Sequence, residues 1–143
     1  MPPRRNAVKA TTLPASFGYF HRMSVSQLRF RILLKPGFAL GPGKIDLLAG
    51  IAETGSISAA GRRMGMSYKK AWRLIDEMNG AFRRPLVAAA KGGKAGGGAS
   101  LTPTGRAVLD RYRAMEIRAA RLYGQELRDL DRLVARPRQG RQR

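Results

Sequence analysis

The sequence predicts a mainly α-helical domain that carries one small β-hairpin. Three observations predict this fold class. Apolar residues in the range 45–82 recur at the three- and four-residue spacing of amphipathic helices, in three short segments. A glycine-dense run at 91–98 lies between two short apolar segments, as the loop of a hairpin does. A further amphipathic pattern predicts one long helix over 103–134, in which Gly124 is either a close-packing point or a kink.

The first predicted element is a strand at 27–34. Apolar and basic residues alternate there, and a period of two with aromatic and branched side chains is typical of a half-buried strand. Glycine and proline then interrupt the chain at 37–43. A helix is predicted over 43–54, and Gly55 suits the position that follows a helix C-terminus.

Two short helices joined by a three-residue turn are predicted next. Ser56 is a good N-cap for a helix that ends at Gly65, and Ser67 caps a third helix that ends near 79–80. Small residues at 60–61 allow the two helices to pack closely, and Gly65 tolerates the positive φ of the turn. This is the arrangement of a helix-turn-helix motif.

The third helix is predicted to present a basic edge. Once its apolar face is buried, four side chains project outward from its first turns: Tyr68, Lys69, Lys70 and Arg73. Such positions enter the major groove of DNA, where Arg and Lys donate to guanine or to phosphate. The full set of predicted DNA contacts is Ser56, Ser67, Tyr68, Lys69, Lys70, Arg73, Lys91 and Lys94. The alternative is an ordinary helical hairpin with a solvated basic face.

Segments 86–90 and 100–101 are predicted to pair as strands around the glycine-rich loop. Lys91 and Lys94 would then reach the DNA backbone or the minor groove beside the third helix, which makes the hairpin a wing. A disordered surface loop is the alternative. Trp72, on the flank of the third helix, is interpreted as a packing residue against this hairpin, with base stacking as the alternative.

The long C-terminal helix is predicted to mediate dimerisation. Thr102 and Pro103 are a preferred N-cap and first helical residue. A helix of roughly 30 residues extends about 45 Å, too far for so small a domain to cover both faces. The expected dimer contacts are Val108, Tyr112, Met115, Ala119 and Leu122. A symmetric homodimer would read half-sites about 34 Å apart in a near-palindromic operator. The alternative is a helix folded back over the first strand.

We therefore divide the chain into four parts. Residues 27–101 are predicted to form a winged helix-turn-helix domain, and 102–134 the long dimerisation helix. The ends at 1–26 and 135–143 are basic, contain no acidic residue in this division and lack apolar periodicity, so disordered tails are predicted. These tails either solubilise the protein or contact phosphates.

The charge of the chain predicts an anionic partner. It contains 28 Lys and Arg against nine Asp and Glu, a net charge of +19. Within 54–109 the acidic residues are only Asp76 and Glu77, so double-stranded DNA is the expected partner. Sequence-specific regulation is the leading hypothesis. A non-specific architectural DNA-binding protein and a module that docks an acidic protein are the alternatives.

Composition excludes several classes of function. The chain has no cysteine and one histidine, His21, so zinc fingers, thiol catalysis and a histidine-based triad are excluded. We expect no enzyme activity, no cofactor and no metal site. No apolar run approaches the roughly 18 residues of a membrane span. The expected location is therefore cytoplasmic and nucleoid-associated, without a membrane partner.

Three segments resemble the N-terminal DNA-binding domain of ModE-type molybdate-responsive regulators: 55–79 (GSISAAGRRMGMSYKKAWRLIDEMN), 85–87 (PLV) and 91–102 (KGGKAGGGASLT). The chain is more distantly similar to the winged helices of LysR-type regulators. The resemblance covers roughly 27–130 and implies a winged-helix dimer with 67–73 facing DNA. Family members that sense molybdate carry a separate C-terminal oxyanion-binding region. This chain ends about ten residues after the predicted long helix, so we expect a single-domain member that lacks the molybdate-binding region. Its effector site is then absent, or any oxyanion effector acts only through another polypeptide.

Overall fold

The computed structural model of the chain describes residues 27–90 and 98–135. The helices and strands in these ranges are β1 (Ile32–Lys35), β2 (Phe38–Leu40), α1 (Pro42–Thr54), α2 (Ile57–Arg63), α3 (Tyr68–Ala81), β3 (Val87–Ala89), β4 (Ala99–Leu101), α4 (Pro103–Leu122) and α5 (Gly124–Leu133). No helix in the described part of the chain combines the length and apolar content needed to cross a bilayer. This order of elements confirms the predicted class, a mainly α-helical winged helix-turn-helix.

Helix α1 lies at the centre of the hydrophobic core. Four of its side chains are fully buried: Ile45, Leu47, Leu48 and Ile51. They are covered because α2, α3, α4 and β4 all pack against α1. The approach to α2 is closest at Gly50, where an added Cβ would lie 3.0 Å from the Cβ of Ala60. Small residues at this crossing let the two helix backbones come together.

Local sequence signals determine where the first three helices begin and end. Gly55 (φ 67°) follows α1 and Gly65 (φ 63°) lies between α2 and α3, both in the left-handed region that glycine adopts without strain. The Oγ atoms of Ser56 and Ser67 each accept a hydrogen bond of 3.1 Å from the backbone N–H three residues later. The predicted caps and the predicted turn are confirmed.

The N-terminal segment is a hairpin, and the prediction of a single strand over 27–34 is wrong. β1 begins only at Ile32, which lies opposite Leu40 of β2 in an antiparallel pair. Gly37 (φ 78°) lies in the turn between the strands. Phe38 and Leu40 alternate toward the core and are buried, which stabilises β2. The sequence interpretation missed β2 because it treated the surrounding glycine and proline as an interruption.

Strands β3 and β4 pair antiparallel and form the base of the predicted wing. The backbone N–H of Ala99 donates to the carbonyl of Gly55 at 2.9 Å, which ties β4 to the end of α1. The Thr102 hydroxyl donates to the carbonyl of Pro85 at 2.6 Å and accepts from the N–H of Gly105 at 3.0 Å. One side chain thus caps α4 and joins it to the segment before β3.

The C-terminal helix predicted over 103–134 is interrupted next to Gly124, so it is not one continuous helix, and the break lies where a kink was one of the two predicted roles of this glycine. Helix α4 ends at Leu122 and α5 begins at Gly124, with Tyr123 between them at φ −103° and ψ 20°. Glycine has a low helix propensity, about 1 kcal/mol less favourable than alanine, which favours a break here. Hydrogen bonds between residues four apart continue on both sides of Tyr123. The two helices therefore follow each other directly.

Tyr112 belongs to the core of its own chain, contrary to its predicted place in a dimer contact. It is 1% exposed, and its hydroxyl donates to the carbonyl of Phe30 at 2.6 Å and accepts from the Phe30 N–H at 3.2 Å. Burial raises the pKa of Tyr112. Beside it, Arg29 donates to Asp46 at 2.7 Å, and this bond raises the pKa of Arg29. The segment before β1 is thereby fastened to α1 and α4.

Candidate nucleic-acid interface

Helix α3 has a buried side and an exposed, basic edge. Its buried residues are Ala71, Ile75 and Met78. The predicted contact residues are on the exposed edge: Tyr68, Lys69, Lys70 and Arg73. The 3.6-residue period of the helix separates the two sets, because the apolar residues recur every three or four positions. The structure therefore brings the four predicted α3 residues together at the solvent-facing edge.

The cations of this edge are largely uncompensated. Lys69 and Lys70 make no ion pair within the described residues. Arg73 Nη1 lies 4.0 Å from an oxygen of Glu77, and the other Glu77 oxygen lies 3.4 Å from Lys44 Nζ. Exposed pairs at such distances contribute little, so Arg73 stays available to another anion. In the described ranges no group of three or more His, Cys, Asp or Glu can hold a metal ion.

The two predicted serine contacts are both helix caps. Ser56 is half-buried at the start of α2, and Ser67 is exposed at the start of α3. Each Oγ accepts one hydrogen bond from its own helix, which leaves the hydroxyl hydrogen to donate. A phosphate oxygen is a suitable acceptor for that hydrogen. The capping role and a phosphate contact are therefore compatible.

A shallow cleft of about 260 Å³ lies between α3 and the base of the wing. Its lining residues come from α2, α3 and the β3–β4 hairpin: Ser56, Ile57, Ser58, Tyr68, Trp72, Ala89, Ala90, Gly98 and Ala99. The Ala90 N–H donates to the Gly98 carbonyl at 2.8 Å, so the two residues that flank segment 91–97 meet at this cleft. The wing base and the exposed edge of α3 thus lie on one side of the molecule. Lys91 and Lys94 themselves are outside the described residues.

Two aromatic side chains stand at the α3 side of the cleft. The rings of Tyr68 and Trp72 meet edge to face, with centroids 6.2 Å apart and an interplanar angle of 82°. Trp72 is half-buried and packs against the hydrophobic core, as its interpretation as a packing residue expects. Tyr68 is 60% exposed, and its hydroxyl has no hydrogen-bond partner among the described residues. The pair is therefore anchored at Trp72 and open to solvent at Tyr68.

Sequence reasoning did not single out Ser58, which also lines the cleft. This residue is exposed in the first turn of α2. The available signal was the N-cap at Ser56, because a residue two positions after a cap lies in the first helical turn. Ser58 adds a second hydroxyl donor beside Ser56.

The predicted dimer residues lie in two environments. Tyr112 and Ala119 are buried, and Val108 is half-buried against the core. Met115 and Leu122 are 45% and 72% exposed. Exposed apolar side chains continue along the chain into and beyond α5: Tyr123, Leu130, Leu133 and Val134. The apolar surface that is open to a partner therefore lies closer to the C-terminus of the chain than the predicted contact residues do.

Comparison with protein families identifies the domain that carries this site. Residues 43–106 match the family model described as "Bacterial regulatory helix-turn-helix protein, lysR family". The matched range begins in α1 and ends in the first turn of α4. It therefore includes the exposed edge of α3 and both strands of the wing.

The chain is also similar to curated regulators. It is 48% identical over 91 residues to the molybdenum-pterin-binding protein MopB of Rhodobacter capsulatus, which covers 64% of this chain and 34% of MopB. It is 48% identical over 71 residues to the DNA-binding transcriptional dual regulator ModE of Escherichia coli K12, covering 50% of this chain and 27% of ModE. The matched segment thus spans about a third or less of these relatives. A solved complex of the CbnR DNA-binding domain with DNA aligns at a TM-score of 0.47 and 22% identity, over 62% of this chain and 94% of that chain.

Proposed function

We propose that the chain is a sequence-specific, DNA-binding transcriptional regulator of the ModE type. The match of residues 43–106 to the model of the lysR family of bacterial regulatory helix-turn-helix proteins supports this proposal. One observation carries the proposal: Tyr68, at the start of the exposed basic edge of α3, lines the same cleft as Ala89 and Ala90 at the base of the wing. One duplex can therefore contact both. The similarity to Escherichia coli ModE, whose name states that it binds DNA, supports the same function.

In the proposed complex, α3 lies in the major groove. Lys69 and Arg73 donate to guanine edges or to phosphates. The wing reaches the adjacent DNA backbone or the minor groove. The DNA sugar-phosphate backbone that separates the major from the minor groove therefore crosses the cleft. In this arrangement the hydroxyl of Ser56, which lines the cleft, and that of Ser67, at the start of α3, donate to phosphate oxygens.

We also propose that the regulator binds DNA as a homodimer through α4 and α5. Three leucines of this region are more than half exposed: Leu122 at 72%, Leu130 at 57% and Leu133 at 81%. Burying one such side chain contributes about 1.5–3 kcal/mol, so a second copy of this face is a favourable partner. A two-fold pair would present two α3 helices to half-sites about 34 Å apart, which requires a near-palindromic operator.

The test begins with selection of a duplex by the full chain from a random pool at about 150 mM salt. The variants Lys69→Ala and Arg73→Ala are then titrated on the selected duplex and on random duplex. Each is expected to cost about 1–3 kcal/mol on the selected duplex and to relax its base preference. Arg118→Ala is the matched control, because it removes the same charge from an exposed position of α4.

The net charge of +19 favours a second candidate, a non-specific architectural DNA-binding protein. That function predicts no enriched sequence in the selection. It also predicts an affinity that falls equally steeply with salt on every duplex, because counterion release does not depend on sequence. Equal losses for Lys69→Ala on selected and random duplex would support this candidate over the regulator.

A further inference from the structure

The exposed ring of Tyr68 on α3 is not accounted for by phosphate binding or by packing in the core. Tyr68 exposes 60% of its surface in the first turn of α3, directly before Lys69 and Lys70. A lysine donates hydrogen bonds to a phosphate without needing an aromatic neighbour, so phosphate binding does not explain a tyrosine at this position. A ring so exposed contributes little to the core, and its hydroxyl bonds to no described residue. The position therefore suits a ligand with an apolar surface.

We propose that Tyr68, positioned by Trp72, recognises the methyl group of a thymine in the major groove. This inference rests on the proposed function above. The C5-methyl of thymine is the apolar group that base pairs present in the major groove, and apolar or aromatic side chains contact it. Tyr68 is the first residue of α3. In helix-turn-helix complexes the N-terminal residues of the recognition helix are the ones that contact base edges.

Trp72 is a positioning residue in this arrangement. Its ring is fixed because it is half-buried against the core, and it meets Tyr68 edge to face at 6.2 Å. An exposed tyrosine loses side-chain entropy when a ligand orders it, and a neighbour that restricts it beforehand reduces that loss. Both rings also line the cleft, so a methyl group placed on that side would contact aromatic carbon atoms.

The main alternative assigns Tyr68 to the DNA backbone through its hydroxyl. A tyrosine O–H donates to phosphate oxygens in many complexes, and such a contact carries no sequence information. The two roles use different parts of the side chain. Tyr68→Phe removes the hydroxyl and keeps the ring, whereas Tyr68→Ala removes both, so the two variants separate a methyl contact from a phosphate contact.

The experiment uses the full chain and the duplex recovered by selection from a random pool. Each thymine of that duplex is replaced in turn by deoxyuridine, which removes only the methyl group. We expect at least one position per half-site at which this change weakens wild-type binding about fourfold, the value for burying one methyl-sized group. Tyr68→Phe is expected to keep this ratio. Tyr68→Ala is expected to bind the thymine and uracil duplexes equally.

The role of Trp72 is tested by the same measurement, the ratio of affinities for the thymine and the uracil duplex. Trp72→Leu removes the edge-to-face contact and is expected to reduce the fourfold preference toward one, with little change in affinity for the uracil duplex. Trp72→Phe keeps an aromatic ring and is expected to retain most of the preference. If Trp72→Leu does not fold, the Tyr68 variants still decide the proposal, because that side chain is exposed and its replacement leaves the core intact.

Two results would overturn the inference. One is a wild-type affinity that no thymine replacement changes, and the other is a Tyr68→Ala variant with an unchanged thymine preference. Either result leaves the regulator intact if Lys69→Ala still weakens binding to the selected duplex. Failure of the selection to enrich any sequence removes the proposed function itself, so the two failures are distinguishable.

Discussion

The region from β1 to β4 and the α4–α5 region differ in how far their large apolar side chains are buried. In the first region the large side chains around α1 are covered by neighbouring elements of the same chain, as Ile45 and Leu48 show at 0% exposure. Along the second region burial ends at Ala119, and Leu122 and Leu133 are 72% and 81% exposed. The first region is complete as a monomer. The second carries an apolar surface whose burial requires a partner.

The two regions are joined where α4 begins, by a close approach of two backbone segments. Gly105 in the first turn of α4 lies against the backbone of Leu86, just before β3. A salt-bridge cluster holds α4 further along, where Glu116 lies 3.6 Å from Arg29 and 3.3 Å from Arg113. The direction of α4, and hence of any partner on it, is therefore set by contacts with the DNA-binding domain.

The largest expected effect is the loss of this joint in Gly105→Ala. An added Cβ would overlap the carbonyl oxygen of Leu86 and lie 2.9 Å from its carbonyl carbon, and a backbone atom cannot move aside cheaply. We expect the free energy of unfolding to fall by at least about 3 kcal/mol, which lowers the melting temperature by more than about 10 °C. Thermal unfolding followed by circular dichroism measures this change.

Gly80→Ala is the matched control for that prediction. Gly80 lies in α3, its φ is not positive, and an added Cβ meets nothing within 4 Å. The same substitution is therefore expected to stabilise the protein by about 0.5–1 kcal/mol through helix propensity and a less flexible unfolded chain. Equal destabilisation by both variants would show that the approach of Gly105 to Leu86 is not the cause.

The next largest effect is expected on dimerisation through the exposed apolar surface of α4 and α5. Leu130→Asp tests it. A two-fold dimer loses two buried leucines and gains two desolvated carboxylates, so we expect the dimer Kd to rise more than about a hundredfold. The melting temperature of the monomer is expected to stay within a few degrees, because Leu130 is 57% exposed. Analytical ultracentrifugation over a concentration series measures the association.

Leu33→Asp provides the comparison for the dimer prediction. Leu33 is 76% exposed in β1, outside the proposed contact surface, so the same chemical change there is expected to leave association unaltered. A wild-type chain that sediments as a monomer at every concentration would remove the homodimer from the proposal.

The sequence predicted those features that depend on residues close together in the chain. Gly65 and Ser67 indicate a turn and a cap by their own chemistry, and the structure confirms both. The exposed edge of α3 followed from helical periodicity in the same way. The three-residue strand β2 was missed because Phe38 and Leu40 give too short a pattern to show a period of two.

Contacts between distant residues could not be predicted from local patterns. Tyr112 fitted a helical stripe for a dimer, yet Phe30, 82 residues away in sequence, satisfies its hydroxyl and buries it. The cluster of Arg29, Asp46 and Glu116 likewise assembles from three separate segments. The cleft between α3 and the base of the wing could not be predicted either, because only the tertiary structure places the wing base beside Trp72.

A smaller effect is expected from Tyr112→Phe, which compares a buried tyrosine of the α4–α5 region with an exposed one of the same region. Loss of the hydroxyl leaves the Phe30 carbonyl and N–H without their partner, at a cost of about 1–3 kcal/mol. Tyr123→Phe removes the same group where it is 46% exposed and is expected to change stability by less than about 0.5 kcal/mol. Chemical denaturation gives both values, and equal values would contradict the anchoring role of Tyr112.

The smallest effect is a loss of stability in alkali to which the buried hydroxyl of Tyr112 contributes. Burial raises the pKa of Tyr112 in the folded chain above the value of about 10 that tyrosine has when unfolded. The neutral phenol therefore favours folding, and its contribution is complete below pH 10 and is lost as the pH rises through the folded pKa. The wild type is expected to lose unfolding free energy more steeply than Tyr112→Phe above pH 10, and the difference between their curves isolates this group from the exposed tyrosines. Parallel curves for the two proteins would mean that the buried hydroxyl ionises as freely as one in water, and that the Phe30 contact opens before the fold does.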